Sequence, residues 1–191
     1  VNGQDEWRWA TLGGPSGLPP GRVVAIESDG DGTVWAGTDR GVAWFDGYQF
    51  LPPASDPAAG GLTDIRRIVR MGNGAVAIQS GETIWTGRSG KLSRLAAPSG
   101  VVQVAPAGEN GLYITTRYAH FRFEADRFQK VEPPAGAGRL DSGGAGRPWM
   151  AVRGIGLLQW DGTRWPEIPA LSDAELVDAV AERAGLWAVS V

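Results

Sequence analysis

The chain has 191 residues, 42% hydrophobic and 20% charged, with a net charge of −3. That suits one soluble domain with a real core, and the slight acidity argues against nucleic acid or an anionic membrane surface as partner. Cysteine is absent, which excludes disulfides and thiolate metal sites, and no apolar run approaches the roughly 18 residues of a helical membrane span.

The chain opens on Val1 rather than methionine and shows no signal peptide, so it reads as a processed or excised piece, with any signal, anchor or effector outside it. "DEWRWATL", residues 5–12, reads as a lone outer strand. Residues 17–53 then hold "RVVAIES", "TVWAGT", "GVAWFD" and "YQFLPP". These are short runs of aromatic and β-branched residues, cut by Asp-Gly and Gly-rich turns, as four antiparallel strands would be. The same phrase recurs. Ile26, Gly32 and Val34 reappear 42 residues on as Ile68, Gly74 and Val76. Val34, Trp35, Phe45 and Phe50 reappear 78 residues on as Leu112, Tyr113, Phe123 and Phe128. Gly32 and Trp35 reappear after 114 as Gly146 and Trp149, and "WDGTRW" at 160–165 repeats "FDGYQF" at 45–50. The resulting units are about 17–53, 60–98, 101–134, 136–170 and 172–191. In the last, "SDAELVDAVAERAG" also fits a short amphipathic helix, but the "GLWAV" after it sets Val180 under Ile26 and Trp187 under Trp35, so it is read as a strand.

Four strands per unit of roughly 40 residues are the mark of a propeller blade. The fold expected is therefore all-β: a β-propeller of four-stranded antiparallel blades, about four full and some partial, forming one domain as a five-bladed ring or as a fragment of a larger propeller. On this reading the strands run A to D from the axis outward, and Trp35, Trp149, Trp160, Trp165 and Trp187 fill the wedges between blades. Trp7 is the tryptophan expected to be exposed.

"GLPPGRVVAIESDGDGTVWAGTDRGVAWFDGYQF", residues 17–50, resembles the two-component regulator propeller repeat, which runs from Leu-Pro through an Asp-Gly turn and Trp-x-Gly-Thr to Phe-Asp-Gly. The resemblance is fair over 140–165 and eroded over 60–98 and 101–134, where "AIQS" and "YITT" replace "WAGT". It implies a periplasmic or extracellular sensor region of a histidine kinase or related signalling protein, some relatives responding to polysaccharide fragments. It transfers no functional residue, because the motif is structural.

Candidate chemistry is sparse. "ESDGDGTVWAGT" puts Glu27, Asp29 and Asp31 at calcium-loop spacing, but Thr38 stands where a bidentate Glu belongs, so a polar A–B turn is the better reading. His120 is the single histidine, and no nucleophile motif accompanies it, so no catalytic residue, metal site or cofactor is expected. The D–A and B–C connections should surround one mouth of the channel. Arg22, Asp39, Arg40, Arg117, Tyr118, Arg139 and Arg153 are the candidate ligand-binding residues there, repeated arginines being suited to oxyanions. The function expected is non-catalytic sensing of an anionic small molecule or oligosaccharide. A protein-interaction platform is the first alternative. A propeller-type polysaccharide lyase, with Tyr118 or His120 as base and Arg117 as charge neutraliser, is the second. Partners would be the ligand and, at open strand edges, another chain or the rest of its own, with no nucleic acid and no direct membrane contact.

Overall fold

The computed structural model describes residues 11–55, 62–107, 111–132, 137–142, 148–152, 155–161, 164–168, 176–182 and 185–190. Side chains of Ser55, 137–142, Pro148, Ala151, 176–182 and 185–190 are outside the description. So are Trp7 and most of the lone strand expected at 5–12.

The chain forms successive antiparallel sheets and, among the described residues, no α-helix. Blade 1 is β1 (Val23–Ser28), β2 (Val34–Thr38), β3 (Gly41–Phe45) and β4 (Phe50–Leu51). The next short strand, β5 (Ala54–Ser55), leaves blade 1 and runs parallel to the outer edge of blade 2, pairing Ala54 with Lys91. Blade 2 proper is β6 (Ile65–Arg70), β7 (Val76–Ser80), β8 (Thr83–Arg88) and β9 (Lys91–Leu95). Blade 3 is β10 (Val101–Ala107), β11 (Gly111–Thr116), β12 (His120–Glu124) and β13 (Arg127–Val131). Blade 4 has β14 (Ala137–Ser142), β15 (Pro148–Val152) and β16 (Gly156–Gln159), with a single Leu158–Glu167 bridge where a fourth strand would lie. The last hairpin is β17 (Leu176–Glu182) with β18 (Gly185–Ser190), so the ambiguous segment is a strand. Its alignment shifts by one residue: Val180 lies opposite Trp187, as Glu27 does opposite Trp35, and Ala179 takes the place of Ile26.

Large side chains fill the wedges. Trp35 is fully buried against Ile65, Ile68, Val76, Ile78 and Trp85 of blade 2. Val69, Ala77 and Ile84 on the far face of blade 2 meet Val104, Leu112 and Ile114 of blade 3. Tyr113 in turn meets Met150, Val152 and Leu158 of blade 4. The face of blade 1 turned away from blade 2 is more open, with Ile26 65% exposed while its counterparts Ile68 and Val104 are 6% and 0%. The repeated "DG" turns fold alike: Asp46 Oδ1 accepts from Tyr48 N and Gln49 N, and Asp161 Oδ1 accepts from Arg164 N. They bring the flanking aromatics together, Phe45 with Phe50 and Trp160 with Trp165, at 5.2 Å between ring centres in each pair.

Candidate functional site

The B–C and D–A connections do gather at one end of the blades. In blades 1 and 3 the B–C turn is built on the threonine that closes strand B. Thr38 is buried and donates from Oγ1 to Pro20 O at 3.0 Å, while accepting from Arg40 N. Thr116 donates to Ala119 O at 2.8 Å and accepts from Tyr118 N and Ala119 N. Such hydroxyl-to-backbone bonds set a tight turn and push its two central residues into solvent. They present Asp39–Arg40 in blade 1 and Arg117–Tyr118 in blade 3, and the Tyr118 ring is 85% exposed.

Asp39 ties the turn to the start of β1, its Oδ1 accepting from Arg22 N at 3.0 Å. Gly21 has φ +106, and a Cβ there would fall 2.0 Å from the same oxygen, so only glycine fits beneath it. Asp39 O accepts from Asp64 N, and Asp64 O from Gly81 N, which carries the ring from blade 1 to blade 2. Arg66 binds Asp64 at 2.9 Å, and Arg117 binds Glu82 across the gap between blades 3 and 2. The described rim therefore alternates in sign, with Arg22, Arg40, Arg66 and Arg117 against Asp39, Asp64 and Glu82. Arg117 takes the turn position of Asp39, directly after strand B, so charge at that position reverses between blades.

Arg22, Asp39, Arg40, Arg117 and Tyr118 thus share one end. Arg139 lies within β14, at its register irregularity between Ala137 and Leu140, and not in a D–A loop as the sequence suggested. Arg153 is outside the described residues. Within the 52–64 connection, Ala54–Ser55 pair with the edge of blade 2 as β5, and residues 56–61 lie outside the described residues. Sequence reading missed Thr38 and Thr116 as the supports of the turns and missed Glu82 and Asp64 as partners. The final Thr of "WAGT" and "YITT" was the available signal.

The acidic A–B turn lies at the other end and has a structural task. Asp29, 1% exposed, accepts from Asp31 N and Thr33 N through Oδ1, and from Trp35 Nε1 and Ser89 N through Oδ2. Burial pushes its carboxyl up, but these donors outweigh that and hold it below the usual carboxylate range. Asp31 binds the Arg88 guanidinium and Ser89 Oγ, and Gly30 N donates to Gly74 O at 2.6 Å. Both aspartates therefore clamp blade 1 to blade 2. Millimolar calcium is expected to leave the melting temperature unchanged, since a cation would have to displace those donors; a rise of several degrees in a thermal scan would show a metal site instead. Beside this clamp, Ala75, Thr86, Arg88, Ser89, Lys91 and Leu92 line a shallow cavity of about 390 Å³, away from the rim.

Residues 17–40 match the family described as Two component regulator propeller. The chain carries that propeller repeat. No curated protein matches it. Among solved structures it is similar to virginiamycin B lyase from Staphylococcus aureus, at 18% identity and TM-score 0.63, over 91% of this chain and 64% of that one. It is similar to the extracellular domain of a hybrid two component system from B. thetaiotaomicron, at 14% identity and TM-score 0.63, over 94% of this chain and 26% of that one. YCF48 bound to D1 peptide matches at 18% identity and TM-score 0.64, over 88% of this chain and 60% of that one. At these identities the likeness establishes the fold, a β-propeller, and the chain spans less than two thirds of each of these proteins.

Proposed function

We propose that this propeller is a non-catalytic input module of a bacterial signal-transduction protein, working in the periplasm or outside the cell and binding an acidic oligosaccharide or similar anionic small molecule on its rim. The observation that carries this reading is the Arg117–Tyr118 turn. Thr116 fixes its backbone, and the turn holds out an aromatic face beside a guanidinium. A sugar ring can lie on such a face while its carboxylate or sulfate takes paired N–H donors. The alternating charges around it suit a ligand carrying both hydroxyls and acidic groups. The match to the sensor-propeller repeat supports the signalling role. The lyase alternative is disfavoured for His120 as base, because its ring lies on the face turned to blade 4 and is hydrogen-bonded to Thr115.

Calorimetry against a panel of acidic glycans tests the reading. Arg117→Glu combined with Tyr118→Ala should weaken binding of any hit at least about tenfold, the effect of losing one charged and one stacking contact. Unchanged affinity in the double variant would remove the rim from consideration.

A further inference from the structure

Blade 3 departs from its neighbours on the face it turns toward blade 4. Cross-strand register places Gln103, Thr115 and His120 in one row and Tyr113 and Arg122 in the next. These rows share a face because strand residues alternate sides. In blade 1 the positions of His120 and Arg122 hold Val42 and Trp44, and in blade 2 they hold Ile84 and Thr86. A position that is apolar in two blades has become an imidazole in the third, and its neighbour a guanidinium.

The polar atoms there share one property. Gln103 Nε2 and Arg122 Nε are buried with no acceptor from the protein. So is Trp165 Nε1, which reaches the same wedge from blade 4, packed against the cluster that contains Tyr113. All three are donors. Glu124 engages a different nitrogen of Arg122, Nη2, at 2.8 Å, so it leaves Nε unanswered. His120 Nδ1 is occupied by Thr115 Oγ1 at 3.1 Å. Burial lowers the His120 pKa, so the ring is neutral near pH 7 and adds no second charge. Buried donors without partners are costly, and several in one wedge mark a place made for an acceptor.

We infer that the wedge between blades 3 and 4 binds a carboxylate-bearing small molecule, whose oxygens accept from Gln103 Nε2, Arg122 Nε and Trp165 Nε1. A carboxylate fits better than a hydroxyl because it brings acceptors and no hydrogen of its own. This site is separate from the rim and stands or falls apart from it.

Thermal shift with sodium glucuronate at tens of millimolar is the test, with glucose and sodium chloride as controls. Glucuronate should raise the melting temperature by several degrees and the controls should not. Gln103→Leu keeps the volume and removes one unpaired donor, so the ligand-free variant should melt no lower than the native chain and should lose the glucuronate-dependent rise. Trp165→Phe, which keeps the ring and removes Nε1, should weaken glucuronate at least about fivefold, the loss of one buried hydrogen bond. Tyr118→Ala should leave the rise intact, which separates this site from the rim. The inference is overturned if glucuronate gives no rise in the native chain, if the rise survives in Gln103→Leu, or if a crystal structure grown with glucuronate shows only ordered waters on the three donors.

Discussion

Trp35→Ala is expected to lower the stability of the chain by about 3–5 kcal/mol, the usual loss for a large buried aromatic. Trp35 is 0% exposed and packs blade 1 on blade 2 in a cluster that also holds Val42. A Cβ built on Gly87 would come within 2.9 Å of its ring, so the indole fills its wedge with no slack. The cavity left by alanine cannot collapse without moving backbone. With total stabilities commonly about 5–15 kcal/mol, the loss should be plain in urea unfolding as a large fall in midpoint. Trp35→Phe separates packing from hydrogen bonding, retaining most of the ring while removing the donor to Asp29. A loss below about 1 kcal/mol for the alanine variant would mean that the blades do not pack through this residue.

The second large effect belongs to Asp29. Replacing it by alanine strands three backbone N–H groups and the Trp35 indole at once, in a place where water has little access. About 3 kcal/mol is expected, since hydrogen bonds to a charged acceptor contribute about 1.5–3 kcal/mol each and some donors will find water once the turn relaxes. Asp46→Ala, which removes two such bonds in an exposed turn, should cost well under half as much and serves as the control. The pH dependence follows from the sign of the shift. The folded Asp29 carboxyl titrates below its unfolded value, so its contribution is complete above the unfolded carboxylate pKa of about 4 and fades as pH falls through the lower folded value. Acid unfolding of Asp29→Asn should therefore be less steep than that of the native chain. Equal steepness would show that Asp29 is not a source of acid sensitivity.

Much of the architecture was legible because the repeat is written in large residues. Trp35, Tyr113 and Trp149 recur at matching positions, and the Phe45–Phe50 pair returns as Phe123–Phe128 and Trp160–Trp165. What the sequence concealed lies in departures from the period. Every strand A slips register near its start, between Val23 and Ala25, Ile65 and Arg67, or Val101 and Gln103, for example, and no residue type announces the slip. That slip places Arg139 inside a strand and aims Gln103 into a wedge. In the last hairpin Val180 falls one position from the place of Ile26 for a related reason: the period measures residues, whereas the sheet counts hydrogen-bonded pairs. That the B–C and D–A connections share one end was legible from wiring alone. The charge pattern of that end was not, because Glu82 and Asp64 come from a blade whose turn, "SGE", lacks the arginine of the others. The aspartates of the opening turn read in sequence as a polar A–B turn, but their bonds to Ser89 and Arg88 of the next blade are a relation that only spatial adjacency reveals.

Blades 1 and 2 are fastened at both ends: by Asp64 N on Asp39 O at the rim, and by Gly30 N on Gly74 O with the Asp29 clamp at the opposite end. A plate pinned at two edges cannot swing like a door. If the rim binds a ligand as proposed, blades 1 and 2 should respond to it together. In hydrogen exchange the two blades should open as one cooperative unit, their slowest amides sharing a single opening rate. Two adjacent blades joined in this way form one stiff plate rather than two independent petals.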